Sequence, residues 1–379
     1  MTDQNALDTF CADLVNQNPA FICIDTEFMR QHTYWPQLSL IQIATPEEAV
    51  IIDPLVHDLS LQPMAPFLQD EKITKVFHSG RQDIEIFWHL LGDTPKPIFD
   101  TQIAAGFLGM GDGIGYEKLI QEILGVALDK TNQFTDWLKR PLRPAQLDYA
   151  LGDVVYLCQA YPILIDRLQQ KGREGWVMAE SASLQNAALY QPDEQQAWRR
   201  IKHHIKHWNH LFILKSLVGW RELEARRQNL NRGALIEDRA LIDLAHRGFL
   251  EEGELEKPLT DYRQQITSLG LLESFFSSYK VAHDLIEGDD DSLIQNTTQA
   301  ELKSLHPAPA LPDVEKRIRT LRAGVQDAAL TLGIPANYIA NRHDIDSFAS
   351  QPDSDHKLAN GWRREVLQGN LSDDFFDLD

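Results

Sequence analysis

The feature that most constrains this chain is a short apolar run that ends in two acids. Residues 21–24 read Phe-Ile-Cys-Ile, which is typical of a strand buried on both faces. Asp25 and Glu27 follow, and because alternate residues of a strand point to one side, they project together at its end. Such close carboxylates repel unless a cation neutralises them, and Mg²⁺ takes oxygen ligands of this kind. On this fragment alone, a solvated strand end with an acidic turn is the better interpretation, so acids elsewhere have to decide.

Hydrophobic periodicity extends this strand into a larger unit. Further strands are predicted at residues 38–44, 49–53, 75–78 and 99–101. Helices are predicted at residues 7–17, 62–68, 79–91, 103–108, 116–124 and 144–170. Ser79 is predicted to cap the third of these helices. Strands that come first and are then mixed with helices indicate an α/β domain with a mixed sheet and flanking helices.

The length and a change in composition predict the domain organisation. A chain of 379 residues is expected to form about two or three domains. Polar residues and proline gather near residues 185–195, which predicts a linker. Beyond it the strand signals nearly vanish, and two helical units follow, separated by an acidic loop at residues 287–292. We therefore predict three domains, at residues 1–190, 191–288 and 289–379.

Charge and cysteine usage exclude some classes of protein. A formal net charge of −20 argues against a protein that coats nucleic acid uniformly, leaves room for a local basic patch and suits a site that concentrates cations. Cys11, Cys23 and Cys158 are too widely separated for a disulfide framework or a zinc cluster, which favours a reducing compartment. The chain begins without a signal-peptide pattern and has no apolar run long enough to span a bilayer. We therefore expect a cytoplasmic protein.

Further acids complete a set with Asp25 and Glu27. Asp83 lies in the first turn of a predicted helix, where the positive helix end alone would favour a carboxylate. Tyr149 and Asp153 are four residues apart on the long helix and share a face, which by itself indicates a hydrogen-bonded surface pair. Together, four carboxylates could hold two divalent ions roughly 3.5–4 Å apart, which would stabilise the attacking and leaving oxygens of a phosphodiester displacement. Tyr149 could then hold or deprotonate the attacking water.

In this order, the acids and the tyrosine resemble the motifs of the tyrosine-type DEDD 3′–5′ exonucleases. The ribonuclease D family is matched in particular by residues 25–28, 38–43 and 75–83. The helical units are similar to helicase-and-RNase-D C-terminal (HRDC) domains. The segments that carry this second likeness are 220–227 and 231–234 in the first unit, and 333–336, 341–343 and 361–365 in the second. The resemblance covers nearly the whole chain.

The resemblance implies a site, a fold and an activity. It implies that Asp25, Glu27, Asp83 and Asp153 bind two divalent ions, Mg²⁺ or Mn²⁺, and that Tyr149 positions water. It also implies an RNase H-like exonuclease domain followed by two all-α HRDC-like domains. The implied activity is hydrolysis that releases 5′-mononucleotides and trims the 3′ ends of tRNA precursors and other small structured RNAs. All five positions are filled as the family expects, so we predict an active enzyme.

Weaker signals suggest contacts to RNA. Phe28 could stack on the terminal base, although core packing fits it equally. Gln42 lies in an apolar strand and needs partners, for which a structural hydrogen bond is favoured over a ribose contact. The basic stretch 198–208 has interleaved aromatics, which suit either phosphate contact or a solvated helix face. The candidate RNA-binding residues are Phe28, Gln42, Arg199, Arg200, Lys202, Lys206, Arg226 and Arg227.

Two other functions stay open from the sequence. A DNA 3′–5′ exonuclease would share the same acids. A non-catalytic RNA-binding or docking protein could keep the same fold. The sequence identifies no protein partner, and His78, which could line the site, is better explained as a hydrogen-bonded histidine at a strand end.

Overall fold

A mixed five-stranded sheet organises the first part of the chain, in the spatial order β3-β2-β1-β4-β5. The computed structural model describes residues 1–56, 59–129, 131–132, 135–248, 266–267, 269–287, 291–305, 311–371 and 375–376. The strands are β1 (Phe21–Met29), β2 (Gln37–Ala44), β3 (Ala49–Ile52), β4 (Thr74–Phe77) and β5 (Ile98–Asp100). Strands β1, β4 and β5 pair in parallel, whereas β2 and β3 are antiparallel. The predicted mixed sheet is therefore confirmed.

Strand β1 extends further than its apolar run. It continues through Asp25 and Glu27 to Met29, so the two acids lie within the strand and not at its end. The polar side chains show where the apolar run ends. The backbone hydrogen bonds that define a strand form whatever the side chain is, so the strand can continue beyond that point. The strand therefore places the two carboxylates on a regular, rigid element.

Helices cover both faces of the sheet. They are α1 (Gln4–Gln17), α2 (Ala65–Gln69), α3 (Arg81–Leu91), α4 (Thr101–Phe107), α5 (Tyr116–Leu124), α6 (Pro144–Gln170) and α7 (Glu174–Ala182). Ile22 and Ile24 pack in one cluster with Leu7 of α1. Cys23, on the opposite face of β1, packs in another cluster with Val154 of α6. The long helix predicted at residues 144–170 is confirmed and covers the face from which Asp25 and Glu27 project.

The predicted cap of α3 is wrong. Ser79 has a left-handed backbone, with φ of 56°, and the helix begins after Gly80 without a side-chain cap. The backbone N–H groups of Ser79 and Gly80 instead donate to the carboxylate of Asp100, at 3.1 and 2.9 Å. A carboxylate at the end of β5 thus accepts the hydrogen bonds of the backbone N–H groups before α3, whereas the hydroxyl of Ser79 was expected to cap this helix.

The chain forms two compact units, and the last helices belong to the first of them. Unit 1 contains Met1–Met29, Leu38–Tyr190 and Ala310–Asp379. Its C-terminal helices are α13 (Pro312–Leu332), α14 (Ala336–Ile339), α15 (Arg342–Ser350) and α16 (Gly361–Gln368). Their apolar residues share a core cluster with the sheet. Trp362 stacks on Trp176 at 4.9 Å and meets Phe107 edge-on at 5.2 Å. Arg363 binds both carboxylate oxygens of Glu180.

Truncation of this aromatic contact should destabilise unit 1. We expect Trp362→Ala to lower the free energy of unfolding by about 3–5 kcal/mol, because it removes a large buried ring and leaves a cavity. The ring is only 7 % exposed, and its indole N–H donates to Glu180 at 3.0 Å. Urea unfolding followed by circular dichroism would measure the change. Leu330→Ala, at a site that is 80 % exposed, is the matched control, and equal effects of the two substitutions would contradict this packing.

Unit 2 is helical and includes one segment from the start of the chain. It comprises Arg30–Gln37 and Gln191–Pro309. Its helices are α8 (Trp208–Gln228), α9 (Arg232–Leu235), α10 (Asp238–Arg247), α11 (Leu272–Glu287) and α12 (Asp291–Leu305). Within it, Glu222 of α8 accepts hydrogen bonds from the phenol of Tyr34, at 2.5 Å, and from the guanidinium of Arg232, at 2.5 and 2.6 Å. A buried carboxylate therefore joins the segment after β1 to the helices of this unit.

The predominantly helical character of the C-terminal region is confirmed. The predicted boundary at residues 288 and 289 lies outside the described residues, and the division into three domains stays a prediction. None of the described helices has the length and apolar character needed to cross a bilayer.

Candidate active site

Three of the predicted acids meet where β1 passes beneath α6. Each of Asp25, Glu27 and Asp153 places one carboxylate oxygen within 4.8 Å of the others. Strand alternation puts the first two on one face, and α6 brings Asp153 onto that face. Within the described parts of the chain, this is the one group of three or more acidic, histidine or cysteine side chains that meets this distance limit. The two motifs, far apart in sequence, are therefore brought together as expected.

The fourth predicted acid lies beside this group but outside the distance limit. Asp83, in the first turn of α3, is 8 % exposed and accepts a hydrogen bond from the hydroxyl of Thr26. Thr26 stands between Asp25 and Glu27 in β1, so the same strand positions all three acids. Burial and, after it, the charge of Asp83 raise the pKa of Asp25, so the two carboxylates lie within electrostatic reach of each other.

Burial and mutual repulsion make these acids hard to ionise. Burial, followed by the charges of neighbouring acids, raises the pKa of Asp25 well above its usual range and that of Glu27 to about 9. Burial raises the pKa values of Asp83 and Asp153 to about 7. A bound divalent ion would oppose both effects, because it supplies the opposite charge. The donors are all carboxylate oxygens, which suit hard ions such as Mg²⁺ or Mn²⁺. The residues thus fit a divalent metal site.

Metal removal should make stability depend on pH. A raised pKa means that the folded protein holds more protons than the unfolded chain, so stability is present at low pH and is lost as pH rises through the raised values. In EDTA we expect the free energy of unfolding to fall from pH 6 to pH 9 by at least about 1.4 kcal/mol, the equivalent of one pKa unit. Mg²⁺ should remove most of this loss. Urea unfolding at several pH values would measure it, and a flat or rising profile in EDTA would contradict the proposed repulsion.

Tyr149 lies one helical turn before Asp153 and is half-buried. Its ring centroid is 6.1 Å from that of Trp137, which is buried behind it. Burial and the charges of Asp153, Glu27 and Asp25 raise the pKa of the Tyr149 phenol. Without a bound cation, the phenol therefore keeps its proton at neutral pH and acts as a hydrogen-bond donor.

The acids and Tyr149 open into a cavity of about 720 Å³. Its described lining contains one cationic side chain, Lys118, and six acids. These acids are Asp25, Glu27, Glu117, Asp129, Asp148 and Asp153. His78 also lines the cavity, and its ring nitrogens lie 3.0 Å from the Thr101 hydroxyl and 3.1 Å from the Ile114 carbonyl. Such an acidic cavity can accept a phosphate only together with cations.

Sequence reasoning missed one residue that supports the site. Tyr116, the first residue of α5, donates its hydroxyl to the carbonyl of Gly152, at 2.8 Å, next to Asp153. Its ring also meets His78 edge-on at 5.5 Å. An aromatic residue at a helix start has no local signal that would reveal a partner on another helix. Only the packing of α5 against α6 shows this contact.

The candidate RNA-binding residues do not line the described cavity. Phe28 is half-buried beside the acids, whereas Gln42 is fully buried, and neither of its side-chain polar atoms is hydrogen-bonded to any residue that the structure describes. Burial leaves Gln42 no surface for contact with RNA. The exposed members are Arg199, Arg200, Lys202, Lys206 and Arg227, and Arg226 is half-buried. The first two lie on a short 3₁₀ helix and the two lysines in an irregular segment before α8, so this stretch does not form the solvated helix face considered above.

The chain resembles known nucleases over nearly its full length. Residues 1–169 match a family described as 3′-5′ exonuclease. A relative in Bartonella henselae named ribonuclease D is 37 % identical over 359 residues, which cover 93 % of this chain and 84 % of the relative. A ribonuclease D of Sphingobium indicum is 36 % identical, covering 96 % and 91 %. The crystal structure of Escherichia coli RNase D, described as an exoribonuclease involved in structured RNA processing, superposes with a TM-score of 0.74 at 28 % identity, covering 97 % of this chain and 96 % of that one.

Proposed function

Since this chain belongs to the ribonuclease D family and is a 3′–5′ exoribonuclease, we propose that it trims the 3′ ends of tRNA precursors and other small structured RNAs. The products are 5′-mononucleotides. The observation that carries this proposal is the cluster of Asp25, Glu27 and Asp153 in a cavity beside Tyr149. The processing of structured RNA by the E. coli relative supports the class of substrate.

The acids would hold two divalent ions, Mg²⁺ or Mn²⁺. When bound, these ions neutralise the acids and stabilise charge on the attacking and leaving oxygens of the phosphodiester. Asp25, Glu27 and Asp153 supply oxygens from two rigid elements, and Asp83 is fixed beside them by Thr26. The raised pKa values of Asp25 and Glu27 support this role. They arise from burial and from repulsion between the carboxylates, and a bound cation would relieve that repulsion.

The protein's own residues would orient the reacting groups. The protonated phenol of Tyr149 donates a hydrogen bond that holds the attacking water near the last phosphodiester. Tyr116 fixes the turn of α6 between Tyr149 and Asp153 through its bond to Gly152. Phe28, which follows the acids on β1, would stack on the terminal base. We also propose a cytoplasmic location, which is supported by three buried cysteines without disulfides.

A single assay tests the substrate. Purified protein with Mg²⁺ would be given a 3′-labelled tRNA precursor, an unstructured RNA and a DNA strand of the same sequence. We expect labelled 5′-mononucleotides from both RNAs, and the same precursor labelled at its 5′ end should be shortened to a discrete product. Faster cleavage of the DNA would favour a DNA exonuclease. Binding of the precursor without any cleavage would favour a docking role, and EDTA should stop the reaction.

The exposed lysines before α8 should contribute to binding through phosphate contacts. We expect Lys202→Ala with Lys206→Ala to weaken binding of the tRNA precursor and to lower the salt slope of log affinity by roughly 0.7–0.9 for each phosphate that a lysine no longer neutralises. The Asp25→Asn background prevents degradation during the titration. Lys316→Ala with Arg319→Ala, which removes the same charge from exposed positions on α13, is the control. Equal slopes for the two double variants would show that the lysines act only through net charge.

A further inference from the structure

Three histidine rings of unit 2 come together where α10 ends and α8 begins. His207 directly precedes α8, His210 lies in its first turn, and His246 lies in the last turn of α10. The ring centroids of His207 and His210 are 5.5 Å apart, and those of His210 and His246 are 6.0 Å apart. Positions three residues apart at a helix start share a face, and the ring of His210 contacts both of the others.

These rings have no evident structural purpose. Across the described residues, no hydrogen bond or ion pair reaches a ring nitrogen of any of the three. His207 and His246 are exposed and His210 is half-buried, so packing of the rings removes little apolar area from water. Each ring would repel its neighbours when protonated, and burial together with the other two rings lowers the pKa of His210. The described contacts therefore leave the ring nitrogens of this cluster available to a ligand.

The spacing matches imidazoles that share one metal ion. With metal–nitrogen bonds of about 2.0–2.1 Å and tetrahedral angles, the centres of two bound rings lie about 5 Å apart. The observed separations of 5.5 and 6.0 Å are close to this. The ring nitrogens do not all lie within 4.8 Å of one another in the described arrangement. Binding thus requires the rings to turn about their terminal torsion, which is soft in histidine.

We propose that His207, His210 and His246 form a second metal site, which binds a borderline ion such as Zn²⁺, Ni²⁺ or Co²⁺. Neutral imidazoles select such ions over Mg²⁺, which prefers oxygen ligands. The negative end of α10 adds a favourable field for a cation near His246. Water completes the coordination, since His207 and His246 are open to solvent. An ion bound there ties the start of α8 to the end of α10 and differs in chemistry from any ion held by the acids.

Titration of the full-length protein with Co²⁺ tests this site. Excess Mg²⁺ is kept present to occupy the acids, and the visible absorption of bound Co²⁺ reports nitrogen ligation. We expect one Co²⁺ per chain at pH 8 and at least about tenfold weaker binding for His207→Gln, His210→Gln or His246→Gln. Binding should also weaken at pH 5.5, because protonated imidazole cannot bind a metal. A Zn²⁺ titration by calorimetry should give the same order of variants.

A neighbouring histidine provides the matched control. His204 is exposed in the segment before α8 and belongs to none of the three-ring contacts, so His204→Gln should bind Co²⁺ like the unaltered chain. Circular dichroism and Mg²⁺-dependent RNA cleavage show that each variant is folded. Unchanged Co²⁺ binding in a variant that combines His207→Gln, His210→Gln and His246→Gln would overturn the proposal. So would an equal loss in His204→Gln, since that result indicates non-specific binding to a histidine-rich surface.

Discussion

Asp25→Asn should abolish the release of mononucleotides while leaving the protein folded. The amide keeps the shape of the side chain but loses the charge that attracts a divalent ion at the centre of the acid cluster. Metal ions contribute several kcal/mol to stabilisation of the transition state, and each 1.4 kcal/mol or so is a factor of ten, so we expect roughly a 10³-fold fall or more. Single-turnover cleavage of 3′-labelled RNA in Mg²⁺ would measure it.

The same variant should be more stable than the unaltered chain when no metal is present. It removes one of the mutually repelling acids, so the pH-dependent loss of stability in EDTA should shrink. Asp166→Asn, at an exposed position of α6 outside the cavity lining, is the control and should change neither activity nor stability. Normal turnover by purified Asp25→Asn would remove this carboxylate from the proposed metal site.

Tyr149→Phe should lower turnover by roughly 10²–10⁴-fold and leave metal affinity nearly unchanged. The substitution removes only the phenolic oxygen, and positioning or acid–base roles are typically worth this much. The acids are untouched, so calorimetric titration with Mn²⁺ should give a dissociation constant close to that of the unaltered chain. Tyr156→Phe is the matched control, because Tyr156 lines the same cavity from the same helix. Equal turnover in the two variants would make Tyr149 a structural residue of α6.

Local periodicity predicted the elements that carry the site. Asp25 and Glu27 share a face because strands alternate, and Tyr149 and Asp153 share one because they are four residues apart in a helix. These relations depend only on neighbouring residues, so the sequence is sufficient to infer them. The meeting of the two pairs was implied by resemblance to a family, and the packing of α6 over β1 now accounts for it.

Contacts between distant segments could not be predicted in the same way. The bond from Thr26 to Asp83 and the bond from Tyr116 to Gly152 join residues whose neighbours in sequence give no hint of the partner. The turn before α3 was assigned to Ser79 because a hydroxyl is a common cap, but the carboxylate of Asp100 takes its place. The loss of strand signals likewise predicted a helical C-terminal region without showing that α13–α16 complete the core of unit 1.

The order of segments in unit 1 has a consequence for the newly made chain. Residues 191–309 are synthesised between the two portions of this unit, so a ribosome that has translated the sheet and all five proposed site residues has not yet supplied Tyr338 and Trp362. Until those rings arrive, Phe107 and Trp176 lack the partners that cover them. Burial of these two rings is therefore complete only after α16 has been translated. A nascent chain that stalls before α16 would expose an apolar aromatic surface, which promotes aggregation and can be bound by chaperones or cleaved by proteases.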